Sequence, residues 1–133
     1  MNYIQFVKEI KSEVKNYYVV LGDDLFLLKQ VEMRVEGACE ITMPEFDKLE
    51  FDGENFSVSA FEGAYLGLPI ASKKKLVVVK NLPKQSEADK RALKEILHKQ
   101  NNCCVLFFAN STGEDFSFIL DAAKIECSKL SNE

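Results

Sequence analysis

Three short, uninterrupted runs of β-prone apolar residues constrain most strongly what this chain can fold into. They are residues 17–21 (YYVVL), 76–79 (LVVV) and 103–109 (CCVLFFA), and such runs are typical of strands that are covered on both faces. Two weaker segments, 48–52 and 124–127, are also predicted to be strands. Because helical periodicity separates all five, they cannot pair as hairpins. The sequence therefore predicts a three-layer α/β fold, a parallel sheet of about five strands with helices on both faces.

Amphipathic segments with capping residues are predicted to be the helices. The first covers residues 2–15 and places Ile4, Val7, Ile10 and Val14 on its inner face. The other four begin at Asp23 or Asp24, at Asn55 or Ser57, at Ser86 and, for a helix over 114–123, at residue 114. Helix and strand alternate along the whole chain, so residues 1–133 are expected to form a single domain.

Composition narrows the class of protein. The chain has 133 residues, of which 47% are hydrophobic and 29% charged, so it can bury a core and is not expected to be disordered. No apolar run approaches the roughly 18 residues of a membrane span, and the N-terminus has no signal-peptide apolar region. A cytoplasmic protein without membrane contact is expected. The four cysteines form no C-x-x-C pair and are expected to be free thiols, with Cys103 and Cys104 on opposite faces of the sheet.

The turn after the first strand is where a parallel α/β sheet would bind a ligand. It reads Gly22-Asp23-Asp24 and has neither the glycines nor the Gly-Lys-Ser/Thr ending of a phosphate-binding loop. Two carboxylates would repel phosphate there, and Lys80-Asn81 after the central strand offers no carboxylate to Mg²⁺. We therefore expect no nucleotide cofactor, no metal and no catalysis.

Two other classes of protein stay open. Receiver domains also carry an acidic pair after the first strand, as Asp23 and Asp24 do, but they need an acceptor aspartate where this chain has Lys80-Asn81. The second class is a nucleic-acid-binding module. Residues 73–99 hold nine basic and three acidic residues, although the whole chain has a net charge of −4. Such a segment can meet DNA or an acidic protein surface, although a solvated face is the simpler interpretation.

The apolar segment 66–72 (LGLPIAS) is the strongest candidate for a partner site. Pro69 ends the preceding helix, and loops run over the surface, so some of these apolar side chains are expected to be exposed. Leu66 and Leu68 would more simply close the core under the helix end, whereas Ile70 is as well suited to a partner. The candidate contacts are Leu66, Leu68, Pro69, Ile70 and Ala71, with Lys73, Lys74 and Lys75 as candidate electrostatic contacts.

The order of these segments resembles the N-terminal domain of bacterial DNA polymerase III delta subunits. YYVVLGDDLFLLKQ, residues 17–30, resembles the opening strand, turn and helix of that family. FDGENFSVSAFEGAYLGLPIASKKKLVVVKNL, residues 51–82, resembles its central stretch. The spacing to NNCCVLFFAN and to KIEC also agrees, so the resemblance covers nearly the whole chain.

The resemblance implies an AAA+ type (P-loop-NTPase-like) fold without a functional phosphate loop, in a non-catalytic clamp-loader subunit. In that family the domain binds the ring-shaped sliding clamp and helps to open it, through a helix end whose apolar pair, typically Leu-Phe, enters a clamp pocket. Here Leu68-Pro69-Ile70-Ala71 takes that place without a phenylalanine. The pair is Pro69/Ile70 or Ile70/Ala71, and the missing aromatic implies weaker binding or a reshaped pocket.

Family members continue with a lid domain and a helical collar. The collar is implied to join the other clamp-loader subunits, and primed DNA is a further implied partner of the full-length protein. Neither part is found in the 133 residues. The chain is therefore expected to be one domain of a longer protein that does not assemble the loader by itself.

Overall fold

The computed structural model describes residues 1–99, 102–109 and 123–127, and it confirms the predicted α/β fold. All five predicted strands are present. They are β1 (Tyr17–Leu21), β2 (Lys48–Asp52), β3 (Lys75–Lys80), β4 (Cys103–Ala109) and β5 (Ala123–Glu126). The predicted helix over 114–123 lies mostly outside the described residues, and Ala123 belongs to β5.

The helices are α1 (Tyr3–Ile10), α2 (Leu25–Ala38), α3 (Pro44–Asp47), α4 (Val58–Leu66) and α5 (Glu87–His98), with a 3-10 turn at Gly53–Asn55. Side chains cap three of them as predicted, since Asp24, Ser57 and Ser86 accept hydrogen bonds from the first turns of α2, α4 and α5. The short helix α3 was not predicted. No helix in the described part of the chain has the length and apolar content that crossing a bilayer requires.

The sheet has the strand order β2-β3-β4-β1-β5, and every neighbouring pair is parallel. All strands therefore begin at one end of the sheet, here called the amino edge, and finish at the opposite carboxyl edge. The inner strands β3 and β4 are buried almost throughout, whereas the outer strands β2 and β5 are partly exposed. The two edges place different loops at opposite ends of the molecule.

Helices cover both faces of the sheet and give the domain two apolar clusters. On one face Tyr18 and Val20 pack with residues of α1 and α2, and on the other Val19 packs with residues of α4 and α5. Cys103 and Cys104 point to opposite clusters, as predicted. Both are buried free thiols, and burial raises the pKa of Cys103 to about 12.

The first helix is shorter than predicted and turned differently. Asn2 and Gln5 form a capping box, in which the Gln5 N–H donates to Oδ1 of Asn2 at 2.8 Å. From this start, Phe6 and Ile10 face the core, while Ile4 is 65% exposed. The prediction that Ile4 faces inward is wrong, because the buried stripe of α1 runs through Phe6 and Ile10, with Tyr3 and Val7 packed beside it, and Ile4 lies off that stripe.

Candidate partner-binding site

Residues 66–72, here called the tip, connect α4 to β3 at the amino edge of the sheet. Leu66 is 40% exposed, Leu68 74% and Ile70 69%. The expectation that Leu66 and Leu68 close the core is wrong. The helix α4 ends at Leu66 and already fills its inner face with Phe61 and Tyr65, both fully buried.

The carboxylate of Asp47, at the end of α3, lies against the backbone of the tip. The Ile70 N–H donates to Oδ1 at 2.7 Å, and the Ala71 N–H and the Ser72 hydroxyl each donate to Oδ2 at 2.8 Å. Asp47 is fully buried. These bonds favour the ionised carboxylate, and they hold the pKa of Asp47 below its usual range, the Ile70 bond contributing most. Two main-chain bonds and one side-chain bond to a single buried carboxylate fix residues 70–72.

Lys75, the first residue of β3, fixes the end of α4 where the tip begins. Its buried ammonium group donates to the carbonyl oxygen of Ala64 at 2.5 Å, at a helix C-terminus, where a cation is favoured. Gly67 permits this approach, since a Cβ there would lie 2.9 Å from the Lys75 Nζ. The prediction that Lys75 makes an electrostatic contact with a partner is therefore wrong, because its charge is used inside the fold.

Asp47 and Lys75 are the two charged side chains that are buried among the residues the structure describes. A buried charge is costly unless it is paired and hydrogen-bonded. Here each charge bonds to the segment from Ala64 to Ser72, and the Lys75 charge also helps to lower the pKa of Asp47. Both buried charges thus give a defined shape to an exposed apolar loop.

Sequence reasoning missed the contribution of α3, which adds apolar surface beside the tip. The Thr42 hydroxyl donates to the carbonyl oxygen of Ala71 at 3.3 Å, and Asp47 bonds to the same stretch. Between these two anchors lie Met43, 37% exposed, and Phe46, 49% exposed. The available signal was Pro44, since proline is favoured in the first turn of a helix.

The structure does not gather the lysines of residues 73–99 on one surface. Lys73 and Lys74 lie next to the tip, where their main-chain N–H groups donate to the carbonyl oxygen of Cys39 at 3.1 and 3.2 Å. Lys80 lies at the other end of β3, and its ammonium group is 3.6 Å from Glu50. The remaining basic residues lie on α5 and around it. This distribution does not favour a single DNA-binding face.

The carboxyl edge, where a nucleotide would be expected in such a sheet, is occupied by a helix cap. Oδ1 of Asp24 accepts hydrogen bonds from the N–H groups of Phe26 and Leu27, at 3.0 and 3.2 Å. A phosphate bound at this helix end would need these same N–H groups. Within residues 1–99, 102–109 and 123–127, no group of three or more His, Cys, Asp or Glu side chains is placed to hold a metal ion.

This geometry defines a three-layer parallel α/β domain whose exposed apolar tip lies at the amino edge, opposite the end where such sheets bind ligands. The family model described as DNA polymerase III, delta subunit, matches residues 18–126, and the chain belongs to that family. The family resemblance inferred from the sequence is thereby confirmed.

Two solved structures share the fold. The DNA clamp loader delta protein of Bacillus subtilis (YqeN) gives a TM-score of 0.78 at 19% identity, over 96% of this chain and 43% of that one. A DNA polymerase III gamma subunit-related protein of Thermotoga maritima gives 0.73 at 14% identity, over 97% of this chain and 46% of that one. The chain thus spans less than half the length of either. A search among curated proteins gave no match.

Proposed function

We propose that this chain binds the sliding clamp of DNA polymerase III through its tip and helps to open the ring for loading on DNA. The observation that carries the proposal is an exposed apolar turn whose backbone is held by Asp47 and Lys75. A loop that is already rigid loses little conformational entropy on binding, so its apolar contacts translate more fully into affinity. The tip is therefore suited to enter a preformed pocket.

Ile70 is the residue expected to contribute most. Its side chain is 69% exposed, and the hydrogen bond from its own N–H to Asp47 fixes the backbone from which it projects. Removing such a side chain from water is worth about 1.5–3 kcal/mol. Interface energy concentrates in a few central residues, and Leu68 and Pro69 are the neighbours of Ile70 in the tip. Leu66 and Ala71 complete the predicted set.

Lys73 is the member of the lysine run that remains the clearest candidate for steering, with Lys74 beside it. Both follow the tip directly; Lys73 is exposed, whereas Lys74 is half-buried and its ammonium group donates to the carbonyl oxygen of Val14 at 3.4 Å. Charges at the rim of an interface mainly raise the rate of association with an oppositely charged partner. We propose that these two lysines guide the tip toward an acidic part of the clamp surface.

We also propose that the chain has no nucleotide chemistry of its own. Asp24 occupies the N–H groups that a phosphate would need at the start of α2, and the turn lacks the lysine of a phosphate-binding loop. The same cap gives Asp24 a structural role that needs no receiver function. For the whole protein, we propose other clamp-loader subunits and primed DNA as further partners.

The direct test is a pull-down with the sliding clamp from the same genome. The chain should retain the clamp, and failure to retain it when both proteins are folded would overturn the proposal.

Calorimetry with Mg-ATP should show no heat of binding, and a micromolar Kd would contradict the proposal that the chain has no nucleotide chemistry. Incubation with acetyl phosphate, followed by mass measurement, tests the receiver alternative through the gain of a phosphoryl group.

A further inference from the structure

The helix α3 and the tip form one continuous structure, although they are far apart in the sequence. Asp47 bonds to the main chain at Ile70 and Ala71, and Thr42 bonds to Ala71 from the other end of the α3 segment. Residues 43–46 are therefore held against the tip at both ends. Any partner that receives Ile70 comes within a few side-chain lengths of this segment.

The exposed apolar side chains of the described residues are concentrated here. Nine large hydrophobic residues are exposed, and five of them belong to the tip or to the α3 segment. Several exposed apolar residues on two segments that are bonded to each other are typical of an interaction site, whereas single exposed residues need no explanation. The five residues are Met43, Phe46, Leu66, Leu68 and Ile70.

We infer that the α3 segment is the second half of the clamp-binding surface, with Phe46 as a contact residue and Asp47 as the positioning residue that fixes the two halves relative to each other. The inference rests on the proposed function and assigns both halves to the same partner. Phe46 is the one aromatic side chain of the surface, and aromatic residues are enriched among the energetically dominant residues of interfaces. Asp47 is buried and makes no contact with the partner; it acts through the backbone of the tip.

Phe46→Ser tests the contact. Phe26→Ser is a matched control, because Phe26 is also exposed but lies at the start of α2, at the carboxyl edge. In clamp binding by surface plasmon resonance, Phe46→Ser should weaken affinity by about tenfold while Phe26→Ser leaves it unchanged. If Phe46→Ser binds as the parent does while Ile70→Asp is weakened, α3 is not part of the surface and only this inference fails. If Ile70→Asp also binds normally, the proposed function itself fails.

Asp47→Asn tests the positioning role. Asparagine keeps the shape but replaces one acceptor oxygen with an NH₂ group, so at least one tip bond is lost. The amide protons of Ile70 and Ala71 should then exchange faster with solvent, and clamp affinity should fall by about tenfold. Adding Asp47→Asn to Ile70→Asp should weaken binding no further, since Asp47 acts through the tip. Losses that simply add would show that Asp47 has a general structural role instead.

If Asp47→Asn does not fold, Ser72→Ala tests the positioning role of Asp47 instead. It removes only the hydroxyl bond to Oδ2 and leaves both main-chain bonds in place. We expect a smaller loss of clamp affinity, about twofold to fivefold, with faster exchange at Ala71. Unchanged affinity together with faster exchange would show that the shape of the tip does not matter for binding, and would overturn the positioning role.

Discussion

The main-chain N–H of Ile70 donates a 2.7 Å hydrogen bond to Oδ1 of Asp47, a residue 23 positions earlier in the sequence. This bond places a buried anion under an exposed isoleucine. It explains how a proline-containing turn at the surface can keep a defined shape without contributing side chains to the core.

The contribution of Asp47 to stability should depend on pH in a defined direction. Its pKa is lowered in the folded protein, chiefly by the Ile70 hydrogen bond. The stability from the ionised form is therefore present above the unfolded pKa of about 3.9 and lost as pH falls through the lower folded pKa. The difference in unfolding free energy between the parent and Asp47→Asn should be constant near neutrality and shrink in acid. Urea unfolding at several pH values measures it, and a difference that stays the same in acid would contradict the assignment.

Gly67→Ala should destabilise the domain, while Gly63→Ala in the same helix region should stabilise it. A Cβ at Gly67 would lie 2.9 Å from the buried Lys75 Nζ, whereas at Gly63 it would meet no atom within 4 Å. Disturbing a hydrogen bond from a charged group costs about 1.5–3 kcal/mol. Replacing an open helical glycine with alanine gains about 0.5–1 kcal/mol. Denaturant unfolding of the two variants measures both changes in the free energy of unfolding. If Gly67→Ala does not lower it, Lys75 can move aside freely.

Asp24→Ala should lower stability by about 1 kcal/mol, because it leaves the first N–H groups of α2 without an acceptor. It should not create ATP binding, since the turn still lacks the required lysine and glycines. Ser86→Ala removes the equivalent cap of α5 and should cost a similar amount. Thermal melts with and without Mg-ATP measure both effects. A rise in melting temperature with Mg-ATP would contradict the assignment of this turn as a helix cap alone.

The strands and most helices were predictable because their signals are local. The runs at 17–21 and 103–109 are apolar throughout, and caps such as Ser86 mark helix starts within a few residues. The strand order was not predictable in this way, because it depends on contacts between distant segments. The end and the inner face of α1 were misjudged, since two apolar stripes compete in residues 2–15 and only the one through Phe6 and Ile10 is buried.

The sequence predicted the tip of the candidate site but not the α3 segment beside it. The tip could be recognised as an apolar turn that contains Pro69. No pattern in the neighbouring sequence indicates that Asp47 bonds to it. The α3 helix has four residues, too few to show periodicity, and its aspartate is one of many acidic residues in the chain. The same limit applied to Lys75, which the sequence groups with Lys73 and Lys74 although the fold buries it.

The affinity of the Ile70→Asp variant for the sliding clamp, measured by surface plasmon resonance, shows whether the tip binds the clamp. Ile4→Asp is the matched control, because Ile4 is 65% exposed against 69% for Ile70 and lies on α1, outside the tip. Circular dichroism confirms that each variant is folded. Val78→Asp places a charge in the buried strand β3, should unfold the domain, and gives the spectrum of the unfolded chain for comparison.

We predict that Ile70→Asp remains folded and binds the clamp at least about tenfold more weakly than the parent, because it removes the apolar burial and would place an unpaired charge in the pocket. Ile4→Asp should bind as the parent does. A folded Ile70→Asp variant with unchanged clamp affinity would show that the tip is not the clamp-binding element.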